Sequence, residues 1–325
     1  MPAVKGAPLP LRAMFRSVAF ASAILMAALS GNAARAAGPG GTAESPKAIG
    51  NPCAGAPAFD DSLFAQFIEK LETPGETISM ASFPPDLMAK LMATQKAEGD
   101  RRSRDWPYLC RYADRNAEVV RSGRRPTVVF MGDSITDFWQ YADPAFFGAA
   151  NQDRGISGQT TPQMLVRFYP DVIALKPRVV VILAGVNDLA GNTGPSTDQM
   201  ILDNIRAMID LAKANEIRVV LASLTPAAPK QAGPDPVARL NALNDKLRRL
   251  AAEEHVVYLD YNSKMQGPGG LMPKALTNDG LHPNRAGYAV MRPLAERAIA
   301  QALRWSQLGR PEGPSETSGG IENDQ

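Results

Sequence analysis

The chain has 325 residues, of which 45% are hydrophobic, 21% charged and 6% aromatic, a globular balance that excludes fibrous, collagen-like and wholly disordered proteins. Its net charge is +2, yet Lys5, Arg12, Arg16 and Arg35 all fall in the first 36 residues, and a chain cut after Ala36 carries −2. Such a chain has no basic surplus with which to hold nucleic acid.

Residues 1–36 read as an export signal peptide: basic residues precede a largely apolar run from Val18 to Leu29, and Ala34-Arg35-Ala36 follows as a cleavage site. The run is too short to span a bilayer, and no later stretch reaches the roughly 20 apolar residues of a membrane helix. No transmembrane segment is expected, and the location is periplasmic or extracellular. Residues 37–57, rich in Gly, Pro, Ala and Ser, read as a linker and residues 309–325 as a disordered tail. Residues 58–125 read as a helical extension, because Leu63, Phe64, Phe67, Ile68 and Leu71 share one face, as do Leu87, Met88, Leu91 and Met92. Cys53 and Cys110 are the even count that one disulfide needs in an oxidising compartment, with two free thiols as the other reading.

From residue 126 to 308 the period changes. Short β-rich runs at Val128 to Met131, Val179 to Leu183, Val219 to Leu221 and Val256 to Leu259 alternate with helical stretches, the rhythm of a parallel sheet in a three-layer α/β domain. One helix carries Ile201, Ile205, Met208, Ile209 and Ala212 on a stripe, with Ser196 and Gln199 in capping-box spacing. A second carries Leu240, Leu243, Leu247 and Leu250, and a last one follows Asn284 with a kink expected at Pro293.

Polar clusters follow these runs, where an open parallel sheet binds its ligands. Gly132-Asp133-Ser134 puts a serine at the start of a helix, beside the positive end of its dipole. Arg154-Gly155-Ile156-Ser157-Gly158 offers an unobstructed backbone N–H at Gly158, with Thr161 and Pro162 as cap and first position of the next helix. In Gly185-Val186-Asn187-Asp188 the amide of Asn187 can donate to a developing oxyanion without titrating. In Asp279-Gly280-Leu281-His282 a spacing of three lets the carboxylate fix the imidazole's tautomer. Of the two histidines, His255 reads as a helix terminus, which leaves His282 as the candidate base.

Together and in this order, the four blocks resemble the SGNH hydrolase family, the GDSL-type esterases and lipases, over roughly residues 126 to 304. Val186 and Ile135 depart from the usual threonine and leucine, at positions without a catalytic role. The flavour is that of bacterial lysophospholipase-like and acetylesterase-like members. The resemblance implies a flavodoxin-like α/β/α fold with a central parallel sheet. It also implies a nucleophile at Ser134, a base at His282 oriented by Asp279, and an oxyanion hole from Ser134 N–H, Gly158 N–H and the Asn187 amide.

The function expected is an exported serine ester hydrolase acting through an acyl-enzyme on short-chain or acetyl esters, with lysophospholipid and thioester left open. A glycan O-acyltransferase with the same triad and a non-catalytic carbohydrate or lipid binder are the alternatives. No cofactor or metal is called for: H-E-x-x-H, paired C-x-x-C, the G-x-S-x-G elbow and a P-loop are all missing. The partner is a small-molecule, glycan or lipid ester. Trp106, Tyr108, Phe138, Trp139 and Tyr141 either line its pocket or belong to the core, and Arg101, Arg102 and Arg104 either meet a phosphate or uronate or are a solvated helix end. The segment from Trp106 to Tyr112 is expected to border the cleft.

Overall fold

In the computed structural model, residues 61–76, 105–229 and 231–304 are described, together with Cys53 and a few positions between 84 and 93. The expected signal peptide, the tail, the linker apart from Cys53, the side chains of Leu63, Met88, Leu91 and Met92, and Arg101, Arg102 and Arg104 lie outside the described residues.

Five parallel strands form the sheet in the order β2-β1-β3-β4-β5: β1 is Val128–Gly132, β2 Asn151–Gly155, β3 Val179–Leu183, β4 Arg218–Ala222 and β5 Val257–Leu259. This is the flavodoxin-like order, whose ligand crevice opens where connections from neighbouring strands diverge, between β1 and β3. All five positions of both β1 and β3 are buried, as expected of parallel strands covered on both faces. Val256, expected in the last strand, precedes it.

Strand β2 was not expected. Asn151-Gln152-Asp153-Arg154-Gly155 has no β-branched residue, and it becomes a strand because it pairs along the whole of β1, from Val128 beside Asn151 to Gly132 beside Gly155. Its polar side chains are partly satisfied: Asp153 Oδ1 accepts from Gly155 N at 2.7 Å and Arg154 Nε donates to Asn116 Oδ1 at 2.8 Å, while Asp153 Oδ2 and Arg154 Nη2 are buried without a hydrogen-bond partner among the described residues. A polar strand at a sheet edge also discourages pairing with other chains.

The helices are α1 (Asp61–Glu72), α2 (Ala113–Ser122), α3 (Ser134–Ala142), α4 (Thr161–Asp171), α5 (Val186–Leu189), α6 (Asp198–Ala214), α7 (Pro236–Glu253), α8 (Asn262–Met265) and α9 (Arg285–Arg304). Helices α3 and α9 cover one face of the sheet, with α1 packed outside α3; α4, α6 and α7 cover the other, with α2 against α4. Helix α9 runs through Pro293 as one element. Two caps differ from expectation by one residue. Thr197, not Ser196, caps α6 by accepting from Met200 N at 3.2 Å. Thr160, not Thr161, caps α4, its N–H donating to Gln163 Oε1 at 3.1 Å, because Thr161 is taken by Asp188.

Phe67, Ile68 and Leu71 of α1 are buried in the main core, and Phe64 packs on it. At the end of this helix the Glu72 side chain is wholly buried with both carboxylate oxygens unpartnered among the described residues. Burial pushes its pKa up from 4.5 to about 9, the Arg285 charge opposing and the Glu69 charge adding to the rise. The folded chain therefore holds Glu72 neutral at pH 7 while the unfolded chain ionises it, so stability drains away as pH climbs from about 4 towards 9. Glu72→Gln should raise the melting temperature at pH 8 by at least roughly 2–4 °C, the shift that about 1 kcal/mol gives in a domain of this size. The gain should vanish near pH 4, which a melting series across pH will check.

A disulfide joins Cys53 to Cys110, 57 positions apart in sequence and with Cα atoms 5.3 Å apart. It ties the segment ahead of α1 to the turn that precedes α2. Closing a loop of that length removes chain entropy worth up to about 4 kcal/mol. Reduction and alkylation should lower the denaturation midpoint accordingly, measured by denaturant titration of the oxidised and reduced chains.

Candidate active site

Strand register alone brings the first parts together, since Gly132 at the end of β1 sits beside Gly155 of β2 and Leu183 of β3. Each of the following turns therefore starts from the same rim of the sheet. After Gly132 the chain turns at Asp133, whose Oδ1 accepts from Ile135 N at 2.9 Å and so caps α3. Ser134 is the first residue of that helix, where its own N–H has no intrahelical acceptor. The side chain is only 7% exposed.

His282 arrives from the other end of the chain, on the turn between Thr277 and Pro283, which pair as an antiparallel bridge. Its Nε2 stands 2.9 Å from Ser134 Oγ and its Nδ1 2.7 Å from Asp279 Oδ2. The second oxygen, Asp279 Oδ1, accepts from His282 N at 2.8 Å and Leu281 N at 2.9 Å. Burial alone would push this carboxyl up. The His282 charge, the ring hydrogen bond and the two backbone N–H groups outweigh it and hold the pKa at about 2, below the ordinary 3.8. Asp279 is thus ionised at neutral pH and keeps a proton on Nδ1, which leaves Nε2 free to accept the serine proton. The Phe138 ring lies tilted on the imidazole, centroids 4.8 Å apart.

On the opposite side of Ser134 lies the turn after β2. Gly155 admits no side chain, because a Cβ there would sit 2.1 Å from Asp137 N in the backbone of α3. Gly158 has φ +79°, a conformation that glycine adopts without strain. Its N–H donates to no other group among the described residues. Asn187, in α5, donates one amide hydrogen to Gln159 O at 3.0 Å, and its Oδ1 accepts from Asn192 Nδ2 at 2.9 Å. Asn192 Nδ2 also reaches Gly158 O at 3.0 Å. The Asn187 amide is therefore fixed in orientation with its second hydrogen uncommitted. Next to it, Asp188 accepts from Thr161 N at 2.9 Å and Thr161 Oγ1 at 2.7 Å, gripping the start of α4.

The structure thus brings Ser134, Asp279 and His282 into one chain of hydrogen bonds, and puts Gly158 and Asn187 on the adjoining turns. His255 lies before β5, at the opposite end of the sheet. Among the aromatics, Tyr108, Phe138 and Trp139 are core, Tyr141 is half-buried, and Trp106 is 45% exposed. The segment around Trp106 packs against the turn that carries Gly158: Gln159 Nε2 donates to Pro107 O at 2.7 Å and Gln163 Nε2 to Trp106 O at 2.8 Å. Among the described residues no cluster of His, Cys, Asp and Glu can hold a metal ion. Two surface grooves of 290 and 390 Å³, around Phe146 and Arg292 and around Gln66 and Leu87, contain none of the site residues.

Sequence reading missed the residues that hold the two turns. Arg167, wholly buried, donates to Gly132 O at 2.9 Å, to Gln159 Oε1, and to Asp171 Oδ2 at 2.9 Å. Asp137 accepts from Ser157 N at 3.1 Å and Ser157 Oγ at 2.7 Å. One signal was present: Gln163, Arg167 and Asp171 fall at intervals of four on the stripe of α4 that also carries Met164 and Phe168, and all five are buried.

Residues 130–290 match the GDSL-like Lipase/Acylhydrolase family. The chain is 38% identical to a GDSL-like lipase of known structure from Bacteroides thetaiotaomicron, with a TM-score of 0.56 over 60% of this chain and 98% of that one. It is 28% identical over 208 residues to the isoamyl acetate-hydrolyzing esterase of Saccharomyces cerevisiae, covering 50% of this chain and 81% of the yeast protein. Over 211 residues it is 25% identical to an acetylxylan esterase of Geobacillus stearothermophilus, covering 53% and 93% respectively. The chain belongs to the GDSL-like lipase/acylhydrolase family. It is a hydrolase that acts on ester bonds.

The fork of Arg167 cannot be replaced by a single ammonium, which would reach one or two of its three acceptors. Arg167→Lys should therefore destabilise the chain by roughly 2–4 kcal/mol, the cost of stranding buried polar partners. Denaturant titration of the variant checks this.

Proposed function

We propose that this chain is an exported serine esterase that removes short acyl groups, acetate foremost, from hydroxyl-bearing substrates. The observation that carries the mechanism is the continuous line from Ser134 Oγ through both nitrogens of His282 to Asp279, at 2.9 and 2.7 Å.

His282 Nε2 takes the hydroxyl proton as Ser134 Oγ attacks the ester carbonyl. The tetrahedral oxyanion is met by the N–H groups of Ser134 and Gly158 and by the uncommitted Asn187 amide hydrogen, donors already held in place before charge develops. The imidazolium, stabilised by ionised Asp279, returns its proton to the leaving alcohol. Water then repeats the sequence on the acyl-enzyme, and the acid departs. The acetyl preference is supported by the names of both curated relatives, each an esterase of an acetyl ester. Export is supported by the leader-like first 36 residues and by the disulfide, which suits an oxidising compartment. The location is then periplasm or medium.

Hydrolysis of p-nitrophenyl esters from acetate to palmitate by the mature chain tests the reading. Acetate and butyrate should turn over fastest, and Ser134→Ala should abolish the activity. A preference for palmitate would replace the acetyl reading with a lipid one, and undiminished activity in Ser134→Ala would end the serine mechanism. Asn187→Ala should lower kcat on the order of 10²- to 10³-fold with the fold intact.

A further inference from the structure

Helix α1 lies ahead of the family domain, yet it touches the reactive histidine's turn and the nucleophile's helix at once. The turn is otherwise held from within: Asn284 N donates to Leu276 O at 2.8 Å, Asn284 Nδ2 to Ala275 O at 3.1 Å and Gly280 N to Thr277 Oγ1 at 3.0 Å. Setting aside what His282 itself makes, the hydrogen bonds that tie residues 275–284 to a distant part of the chain, among the described residues, come from Asn278. Its amide donates to Leu71 O at 2.9 Å and to Thr73 O at 2.7 Å, across 207 and 205 residues of sequence. These carbonyls belong to the last turn of a helix and the residue after it, where acceptors lack intrahelical donors. Asn278 thus serves as the C-terminal cap of α1, and it is the residue immediately before Asp279.

A second contact reaches the same imidazole from the other side. The Phe64 ring of α1 meets the Phe138 ring edge-on, centroids 5.5 Å apart, and Phe138 lies on the His282 ring at 4.8 Å. Arg285, the first residue after the turn in α9, pairs with Glu69 of α1 at 2.7 Å. Glu69 is largely in solvent and Arg285 partly so, and the pair adds little. The anchoring side of α1 is dry, with Ile68 and Glu72 wholly buried, so the helix sits at a fixed depth.

We propose that α1 is a positioning element of the general base: through Asn278 and through Phe64 on Phe138, it sets where the Asp279–His282 turn stands relative to Ser134. The proposal rests on the reading of His282 as base. Its residues act on the imidazole through the turn and through the Phe138 ring. Because a misplacement of about 1 Å in a reacting group can cost on the order of 10²-fold, the expected loss lies in turnover, with substrate binding untouched.

The test uses the full mature chain with its disulfide intact and p-nitrophenyl acetate as substrate. The variants are Asn278→Ala, Phe64→Leu and, as a control on the exposed side of α1, Gln66→Ala. Circular dichroism and melting establish that each is folded. Asn278→Ala and Phe64→Leu should lose roughly ten- to hundredfold in kcat with KM within about twofold. The apparent pKa of their kcat/KM profile should move, and Ser134 should react more slowly with a phosphonofluoridate. Gln66→Ala should match the wild type. A folded Asn278→Ala with wild-type kcat and pH profile, or a lowered melting temperature with unchanged kinetics, would overturn the proposal and leave α1 a stabilising element only. Should Asn278→Ala fail to fold, Phe64→Leu decides by the same measures. Failure of the underlying reading is distinguishable, because Ser134→Ala would then keep its activity.

Discussion

The demand that shapes this molecule is to keep one carboxylate charged in a place that water barely reaches. Asp279 is almost buried, and burial favours its neutral form; two backbone N–H groups and the imidazole reverse that preference. The conformation of the turn follows from this. Leu281 and His282 must aim their N–H groups at Oδ1 while the ring of His282 folds back to Oδ2. A turn so committed has little left with which to attach itself to the sheet, and its outward attachments come from neighbours: the Ser134 hydroxyl on one side and helix α1 on the other.

The donors proposed for the oxyanion pose a different problem. They are neutral, so no charge needs stabilising in the resting site, but three separate turns must hold their spacing. A buried guanidinium does this by binding the end of β1, the Gly158 turn through Gln159, and Asp171 of its own helix. The amides of Asn187 and Asn192 close the circuit between the turns after β2 and β3. The two sides are therefore held by different means: a carboxylate, Asp279, fixed beside His282, and a buried ion pair, Arg167 with Asp171, fixed behind the Gly158 turn.

What could be read in advance was whatever is local. Four strands were legible because Val128 to Met131 and its counterparts are runs of apolar, mostly β-branched residues, and the motif residues were legible because each cluster is confined to a few consecutive positions. Strand β2 was not, since its pairing comes from β1 and not from its own side chains. The caps of α4 and α6 slipped by one because neighbouring hydroxyl residues cap equally well in principle. At α4 the choice is made by Asp188, which claims Thr161 from 27 residues away. Arg167, Asn192 and Asn278 were invisible for the same reason at larger scale: their acceptors lie 35, 34 and 207 residues off, and nothing in a neighbourhood of sequence distinguishes them from surface polar residues.

The serine and its histidine are 148 residues apart, with the serine after the first strand and the histidine in the last connection. A site split between the two ends of a domain cannot exist on a partly made chain. Contacts of such long sequence separation also form late, because the closure of the whole intervening chain has to come first. On the proposed mechanism reactivity is thereby coupled to completion: a chain that stops short of His282 carries an ordinary serine, with no imidazole to take its proton.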